Sequence, residues 1–480
     1  MNMVRTRFAP SPTGYLHIGG LRTALYDYLL AKKLHGTFVL RIEDTDQSRT
    51  VKEATQNIID VLKWAKIEID EGPTTGGLCG PYIQSERLNL YKEHAQKLVD
   101  DGHAYPCFCS SERLDQVRQR QIAAKLPPAY DKLCRNLPAD VVKQKLDANE
   151  PHVIRMKVPA EGVVEFVDLV HGHLKIACKV VDDQILIKSD GFPTYHLAVV
   201  VDDHYMKISH VIRGEEWLPS TPKHVLLYKY FGWDIPLFIH VPLILNTDKS
   251  KLSKRQGDVA VEDYIQKGYL PEALINFVAF LGWNPGDTRE IFTMEELIRD
   301  FSIERLHKSG AIFNIDKLNW LNHQHMMRKT DNELLTLVKP LFLKSGYTGF
   351  SDDYLKQVIA LIKERVIVLP DFVTYSDFFF VTPTTFDEKT KAKCWNEGSM
   401  ELIQKFATQI ETLDEFNATK IEQALRATAE AAALSATKII QPLRLALTGV
   451  GQGPSLFHLI EVLGKTETLK RIAYALKTIS

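Results

Sequence analysis

Short apolar runs alternate with helical periodicities in the N-terminal part of the chain. A strand-like run at 4–9 is ended by two prolines, and apolar side chains then recur at helical spacing over 21–34. A β-rich run follows at 37–42, and a second helical period centres on Leu62. Strands that alternate with helices predict a parallel sheet with right-handed crossovers. Ligands of such a sheet bind beyond the carboxyl ends of its strands.

The pattern changes twice further along the chain. Residues 83–188 contain clustered cysteines, a Pro-Pro turn and β-like runs, whereas the sheet pattern resumes near Thr194 and helical periods dominate beyond residue 262. We therefore predict an α/β fold: a Rossmann-like parallel-sheet nucleotide-binding domain, split by an α+β insertion and followed by an all-α C-terminal half. The predicted parts are 1–82 with 189–248 (parallel-sheet domain), the insertion 83–188, and the segments 249–330 and 331–480, of which the last is helical.

Composition excludes several classes of protein. A length of 480 residues predicts several domains, and 45% hydrophobic with 25% charged residues is ordinary for a globular protein. No run approaches the ~18 apolar residues of a membrane span, and the charged N-terminus does not resemble a signal peptide. Six cysteines are too sparse for a disulfide scaffold, so we expect a cytoplasmic protein. A net charge of −1 leaves any nucleic-acid binding to local basic patches.

Two short segments carry residues suited to a nucleoside triphosphate. The first is His17-Ile18-Gly19-Gly20, which leads into a predicted helix, and the second is the loop Lys251-Leu252-Ser253-Lys254-Arg255. Glycines allow phosphate to approach a helix N-terminus, where unpaired N–H groups and the helix dipole favour negative charge. Lysines can neutralise the charge that develops as pyrophosphate leaves. In combination, the two segments predict a nucleotide-binding site.

These segments resemble the signatures of class I aminoacyl-tRNA synthetases. The run from Arg7 to Gly20 resembles the histidine–glycine signature of that family, and the 251–255 loop resembles its lysine–serine–lysine loop. Further matching segments lie at 41–46, 189–196, 211–217 and 441–449. The whole chain is thus similar to glutamyl-tRNA synthetases of bacterial type. The resemblance implies a catalytic domain (1–82 with 189–248), an inserted acceptor-binding domain (83–188), a lysine-loop and stem-contact domain (249–330) and an all-helical anticodon-binding region (331–480). The signature ends in Gly20 rather than a second histidine, at a position that varies within this branch.

The resemblance implies a glutamate–tRNA ligase. Glutamate would react with ATP, accompanied by Mg²⁺, to give glutamyl-adenylate and pyrophosphate, and would then pass to the 3′-terminal adenosine of tRNA(Glu). Because the attacking carboxylate is already ionised, catalysis needs positioning and charge stabilisation rather than a strong base. The catalytic residues implied are His17, Lys251 and Lys254, and the ATP-binding residues are His17, Gly19, Gly20, Glu216, Trp217 and Lys254. A histidine that only caps a helix and a solvated basic loop are the alternatives.

A glutamate pocket must offer cations to two carboxylates and an anion to an ammonium group. An arginine fork can pair with a carboxylate bidentately, which a neutral amide cannot match. By resemblance, the residues for the carboxylates are Arg7 and Arg213, those for hydroxyl contacts Ser11 and Tyr195, and that for the ammonium group Glu43. Without the resemblance, Arg41 is as good a candidate as Arg213. A surface salt bridge is the alternative for each of them.

Three cysteines lie within the predicted insertion. Cys107, Cys109 and Cys134 would form a tetrahedral zinc site that is one ligand short. In some members of the family that the chain resembles, a tyrosine or a downstream histidine completes such a site. Asn136 stands where that histidine would be, which leaves Tyr130. Three reduced thiols without metal are an equal alternative.

The expected partners are tRNA(Glu), L-glutamate and ATP. We expect no association with a membrane, and we expect the protein to be a monomer. Arg365 lies in a segment that resembles the helix with which the family reads the third anticodon base, and an arginine can pair bidentately with guanine. An ordinary exposed arginine is at least as good an explanation.

Three other functions are alternatives. The same chemistry with relaxed tRNA choice would also charge tRNA(Gln). A nucleotidyltransferase with the same signature would be shorter and would leave the helical tail unexplained. A synthetase-like RNA-binding protein would be expected to lose His17 or the lysine loop, and both are present.

Overall fold

The computed structural model describes residues 3–46, 48–49, 51, 53–252 and 259–479. The strands in this part of the chain are β1 (Arg5–Phe8), β2 (Thr37–Leu40), β3 (Ala104–Cys107), β4 (Val153–Met156), β5 (Val163–Asp168), β6 (Gly172–Ala177), β7 (Ile185–Ile187), β8 (His210–Gly214), β9 (Leu237–Val241), β10 (Ile244–Leu245) and β11 (Ala311–Ile312).

The α-helices are α1 (Ile18–Lys33), α2 (Ala54–Trp64), α3 (Leu88–Asp100), α4 (Ser111–Ala123), α5 (Ala139–Asp147), α6 (Tyr195–Tyr205), α7 (Thr221–Phe231), α8 (Val261–Gln266), α9 (Pro271–Ala279), α10 (Met294–Asp300), α11 (Ile315–Arg328), α12 (Asp331–Lys344), α13 (Asp352–Ile362), α14 (Asp371–Thr374), α15 (Asp377–Phe380), α16 (Glu388–Cys394), α17 (Glu397–Glu411), α18 (Ala418–Ala431), α19 (Thr437–Thr448) and α20 (Leu456–Thr478). The chain forms two compact units, unit 1 (Met1–Tyr264 with Leu274–Ile315) and unit 2 (Ile265–Ala273 with Asp316–Ser480).

Unit 1 is built on parallel strand pairs joined by helices. β1 pairs with β2 in parallel across the α1 crossover, and β8 pairs with β9 in parallel across α7. The backbone N–H of Ser209 donates to the Arg5 carbonyl at 3.0 Å, which sets the start of β8 beside β1. The predicted Rossmann-like parallel-sheet fold is confirmed.

The predicted insertion holds two different β structures. β3, β4 and β7 form an antiparallel sheet. The β5–β6 hairpin instead extends the β8–β9 sheet, because β5 pairs with β9 in parallel at Asp168 and Phe238. Asp168 therefore reaches a strand end of the main sheet. The division of the chain into four parts stays a prediction.

Unit 2 is helical, and apolar side chains from α12 to α20 form its core. Thr330 and Asn396 begin α12 and α17 with capping boxes, which satisfy N–H groups that a helix start leaves unpaired. Gly449 ends α19 with φ of 77°, and a Cβ there would lie 2.6 Å from the carbonyl oxygen of Thr385. The predicted all-α C-terminal half is confirmed.

Two details of the fold bear on the sequence analysis. The pairing of β11 with β10 adds a short strand beyond residue 262, where strand signals had faded. Among the helices described, none combines the length and the apolar character needed to cross a membrane.

Candidate active site

His17 occupies the position just before the first turn of α1. Its Nδ1 accepts the backbone N–H of Gly19 at 3.0 Å, so the neutral ring carries its proton on Nε2. His17 can therefore both cap the helix and bind phosphate, since the two roles use different ring nitrogens. Gly20 serves packing, because a Cβ there would lie 2.8 Å from Cδ1 of Leu16.

Backbone hydrogen bonds bring the lysine loop to His17. Ile18 N–H donates to the Val259 carbonyl, and Val261 N–H donates to the Leu16 carbonyl, each at 2.9 Å. On the other side of the loop, Leu252 N–H donates to the Ile244 carbonyl at 3.0 Å. Both flanks of the loop are thus fixed beside the signature. Lys254 itself, within 253–258, lies outside the described residues.

A cavity of about 910 Å³ lies between these segments. A volume of this order suits a nucleotide together with a small second substrate. The predicted site residues that line it are Arg7, Ser11, His17, Gly19, Gly20, Glu43, Tyr195, Arg213, Glu216, Trp217 and Lys251. The structure thus brings together in one cavity every predicted active-site residue that it describes. Thr45 and Lys188 also line it, although the sequence analysis did not select them.

The candidate arginines differ in their partners. Arg7 is buried, and its Nε lies 3.1 Å from Asp203 Oδ1. Burial alone would lower the pKa of Arg7, but Asp203 and Asp27 together raise it by more, so this guanidinium stays charged. Arg41 is fully buried and paired with Glu43 at 2.9 Å and Asp203 at 2.7 Å. Arg41 is not among the cavity-lining residues, so its charge serves the fold.

Arg213 is held by uncharged groups. Its Nη1 donates to the Tyr195 hydroxyl at 3.0 Å, and its Nη2 donates to Thr221 Oγ1 at 2.9 Å. Within the part of the chain that the structure describes, no carboxylate lies within ion-pair distance of Arg213. Its positive charge therefore faces the cavity without a close anionic partner.

Glu43 supplies an anionic group beside the arginines of the cavity. Burial raises the pKa of Glu43 by more than its bond from Arg41 lowers it. An ammonium group that entered the cavity would stabilise the ionised carboxylate.

The predicted ATP-side residues follow directly after β8. Glu216 folds back on Gly214, where a Cβ would lie 2.1 Å from Glu216 Oε2, so a larger residue at 214 would displace this carboxylate. Trp217 is 39% exposed, and its ring centroid lies 4.4 Å from that of Tyr195. An acidic acceptor and an aromatic surface thus lie side by side on the cavity wall.

Two buried aspartates that the sequence analysis did not select fix the arginines. Asp203 binds Arg7 and Arg41, and Asp202 binds Arg87 at 2.7 Å. Both lie on α6. The available signal was a pair of acidic residues directly after the apolar run 197–201, in a helix with little polar surface.

The three predicted cysteines meet in the structure. Their sulfur atoms lie within 4.8 Å of one another, and Cys109 Sγ is 3.5 Å from Cys134 Sγ. Tyr130 Oη is 3.3 Å from Cys107 Sγ and 3.5 Å from Cys109 Sγ. Tetrahedral ligands at ~2.3 Å from zinc would be ~3.8 Å apart. Small shifts of these sulfur and oxygen atoms would therefore bring their separations to those of a zinc site.

The electrostatics of the cluster also suit a metal. Burial raises the pKa of Cys107, but hydrogen bonds from Tyr130, the backbone of Cys109 and Arg155 lower it by more. Burial raises the pKa of Cys109 to about 11, and the neighbouring Cys134 adds to the rise. Thiols crowded in this way favour a cation that would take up their charge.

Arg365 lies in a 3₁₀ turn, Lys363–Arg365, which follows α13 rather than continuing it. The prediction that it lies in a helix is corrected to this extent. Its Nη2 donates to the Gly453 carbonyl at 2.5 Å, and it lines a second cavity of about 700 Å³ within unit 2. Tyr375 and the loop 449–454 contribute to the same cavity.

Comparison with known proteins extends these observations. The catalytic-domain profile of class I tRNA synthetases (E and Q) matches residues 3–320, and an anticodon binding domain profile matches 333–476. A glutamate–tRNA ligase of Chlorobium chlorochromatii is 51% identical over 494 residues, which cover 99% of this chain and 98% of the relative. That of Chlorobaculum parvum is 50% identical, with the same coverage of 99% and 98%.

Solved structures agree with the sequence comparison. The crystal structure of a glutamate tRNA ligase from Elizabethkingia meningosepticum in complex with its amino acid is 41% identical, with a TM-score of 0.95 over 100% of both chains. A glutamate-tRNA synthetase from Elizabethkingia anophelis is 41% identical, with a TM-score of 0.92 over 99% of this chain and 100% of that one.

Proposed function

Because the chain belongs to the glutamate–tRNA ligases, a family of class I aminoacyl-tRNA synthetases, we propose roles for its own residues in that reaction. The enzyme uses ATP to join glutamate to tRNA. The large cavity of unit 1 binds glutamate and ATP together, so that the amino-acid carboxylate meets the α-phosphate of ATP. Since this nucleophile is already ionised, rate enhancement comes from positioning and from neutralising charge.

The glutamate end of the site is defined by charge. Arg213 and Arg7 bind the two carboxylates, Ser11 and Tyr195 add hydroxyl contacts, and Glu43 binds the ammonium group. The observation that carries this proposal is the cavity-facing guanidinium of Arg213, which has uncharged partners within the described residues. A neutral amino-acid side chain would leave that buried charge unpaired, at a cost in binding.

The ATP end of the site combines the two signature segments. His17 donates from Nε2 to phosphate oxygens, while Gly19 and Gly20 open the N-terminus of α1 to the phosphates. Lys251 and Lys254 neutralise the departing pyrophosphate, and Glu216 and Trp217 contact the ribose and adenine. Mg²⁺ would come with the nucleotide, since this ion is commonly bound through substrate phosphates, and would neutralise their charge.

A structural zinc ion is proposed for the cysteine cluster. Cys107, Cys109, Cys134 and Tyr130 would hold it and would fix the antiparallel part of unit 1. The support is the convergence of three sulfur atoms and one phenol oxygen from separate segments of the chain.

The proposed nucleic-acid partner is tRNA(Glu), and Arg365 contacts its anticodon. The support is the cavity that Arg365 lines within the segment matched by the anticodon binding domain. We further propose that the enzyme works in the cytoplasm as a monomer.

Charging assays with purified isoacceptors test the proposed substrate choice. The protein, ATP and labelled glutamate are incubated with tRNA(Glu) or with tRNA(Gln), and acid-precipitable label is counted. Label on tRNA(Glu) alone is the expected result. Label on both would identify the enzyme as non-discriminating, and label on neither would overturn the proposal.

A further inference from the structure

Buried histidines, which were not among the predicted site residues, contact Arg213. Its Nε donates to His240 Nε2 at 3.0 Å, and its Nη1 lies 3.2 Å from His224 Nδ1. Both histidine side chains are almost fully buried. With Tyr195 and Thr221, these rings surround the guanidinium with oxygen and nitrogen acceptors.

Asp168 fixes the tautomer of His240. Its Oδ2 lies 2.6 Å from His240 Nδ1, so that nitrogen carries the proton and Nε2 presents its lone pair to Arg213. Asp168 is itself held, because its Oδ1 accepts the backbone N–H groups of Val170 and His171 at 2.9 and 2.8 Å. The β5–β9 pairing is what brings this carboxylate to the site.

His196 fixes the tautomer of His224 on the other side. Arg213 is a donor, so His224 Nδ1 accepts, and its proton lies on Nε2, which is 3.0 Å from His196 Nδ1. Each ring next to the arginine therefore has a defined acceptor nitrogen.

These rings are neutral at physiological pH. Burial lowers the pKa of His224 well below its ordinary value, and the positive charge of Arg213 adds to the effect. Burial lowers the pKa of His240 by more than its bond to Asp168 raises it. For His196, burial lowers the pKa to about 3. The ring of His240 lies between Arg213 and the ionised carboxylate of Asp168, so the two charges are not in direct contact.

The contrast with Arg41 shows what the arrangement achieves. Arg41 is held by carboxylates, which neutralise it, whereas Arg213 is held by neutral acceptors. Hydrogen bonds fix the direction of the guanidinium. Because none of the described carboxylates pairs with Arg213, its attraction for an anion is left intact.

We propose that His224, His240 and Asp168 are positioning residues that hold Arg213 with neutral acceptors, so that its charge is reserved for a carboxylate of glutamate. This inference rests on the proposed function of Arg213 as a glutamate-binding residue. It predicts that the charge of the residue at position 224 matters more than its shape.

A nearly isosteric pair of variants tests this directly. His224→Asn keeps a neutral acceptor near the position of Nδ1, whereas His224→Asp places a carboxylate against Arg213. Both lose the bond to His196 equally. We expect the KM for glutamate in tRNA charging to be about tenfold or more higher for His224→Asp than for His224→Asn, with equal KM values for ATP.

Glutamate binding without catalysis gives a second readout. Glutamate should raise the thermal unfolding midpoint of the wild type and of His224→Asn, but raise that of His224→Asp little. If the His224 variants do not fold, Thr221→Asn and Thr221→Asp present the same contrast of charge to Arg213 from another residue.

Equal glutamate KM values and equal thermal shifts for a folded Asn–Asp pair would overturn the inference and leave the proposed function standing. A wild type that charges no tRNA with glutamate would overturn the proposed function, and the inference with it.

Discussion

At the scale of single residues, unit 1 uses arginine in two ways. Arg41 and Arg87 are buried against carboxylates of α6, where removal of one partner would leave a buried charge unpaired. Arg213 is buried against neutral groups, so a substrate can supply the missing anion. The same side chain thus serves as a structural tie or as a binding group, according to what surrounds it.

Lys254 gives the first prediction at this scale. If it meets charge that forms only in the transition state, Lys254→Ala should lower kcat roughly a hundredfold, about 3 kcal/mol, with little change in the KM for glutamate. Single-turnover activation measures the effect. Lys229→Ala, an exposed lysine on α7, is the matched control and should behave as the wild type. An unchanged activation rate in Lys254→Ala would remove this lysine from the mechanism.

The cysteine cluster gives the second prediction at this scale. Protein purified without chelators should contain about one zinc ion per chain, because Cys107, Cys109, Cys134 and Tyr130 provide four ligands. Cys107→Ser should lose the metal, whereas Cys394→Ser, which changes a half-buried thiol of unit 2, should retain it. Elemental analysis decides the matter, and metal-free wild type would favour three reduced thiols.

Residue identity could be predicted where a signature carries it. The predicted site residues of the two signature segments that the structure describes, His17, Gly19, Gly20 and Lys251, all line one cavity. The supporting residues could not be predicted in this way. Asp202, His224 and His240 act through residues on other elements. The apolar run 197–201 before Asp202 was a local signal of burial, but it does not say which arginine the carboxylate binds.

At the scale of elements, α12 shows how a local sequence fixes a helix start. Thr330 accepts the N–H of Glu333, and Glu333 Oε2 accepts the N–H of Thr330 at 2.8 Å. Thr330→Ala removes one half of this capping box and should destabilise unit 2 by about 1 kcal/mol. Thermal unfolding measures the change.

Thr336→Ala is the control for this prediction. Thr336 is exposed on the same helix and its hydroxyl donates to the Asn332 carbonyl, so alanine there should cost little or nothing. An equal loss of stability in the two variants would show that the capping box contributes nothing specific.

Elements with a strong local period were predictable, and elements defined by a distant partner were not. β1, α1 and β2 follow from alternation and helical spacing alone. β11 and the pairing of β5 with β9 depend on backbone hydrogen bonds to strands far away in sequence. The 3₁₀ turn at Arg365 likewise depends on the end of α13, which a helical period does not locate to a single residue.

At the scale of the whole molecule, the proposed reaction transfers glutamate from a small-molecule site in unit 1 to a large nucleic acid. We expect activation of glutamate to depend on bound tRNA, because the binding energy of the correct partner can assemble a catalytic geometry that is otherwise little populated. ATP–pyrophosphate exchange should therefore be near background with glutamate and ATP alone, and should rise when tRNA(Glu) is added. Vigorous exchange without tRNA would contradict this dependence.

The anticodon contact belongs to the same scale. Arg365→Gln should narrow the gap between charging of tRNA(Glu) and tRNA(Gln) and leave glutamate activation intact, because Arg365 lies in unit 2. Arg426→Gln, an exposed arginine on α18 that pairs with Glu422, is the control. A charging ratio that Arg365→Gln leaves unaltered would remove the anticodon role.

We propose above all that a charged cavity in unit 1 selects glutamate through Arg213. The most direct test is the KM for glutamate of Arg213→Ala in charging of tRNA(Glu), measured beside the KM for ATP. Because the variant leaves a substrate carboxylate unpaired, at about 3 kcal/mol, the glutamate KM should rise roughly a hundredfold while the ATP KM stays the same. An unchanged glutamate KM, or equal increases for glutamate and ATP, would contradict it.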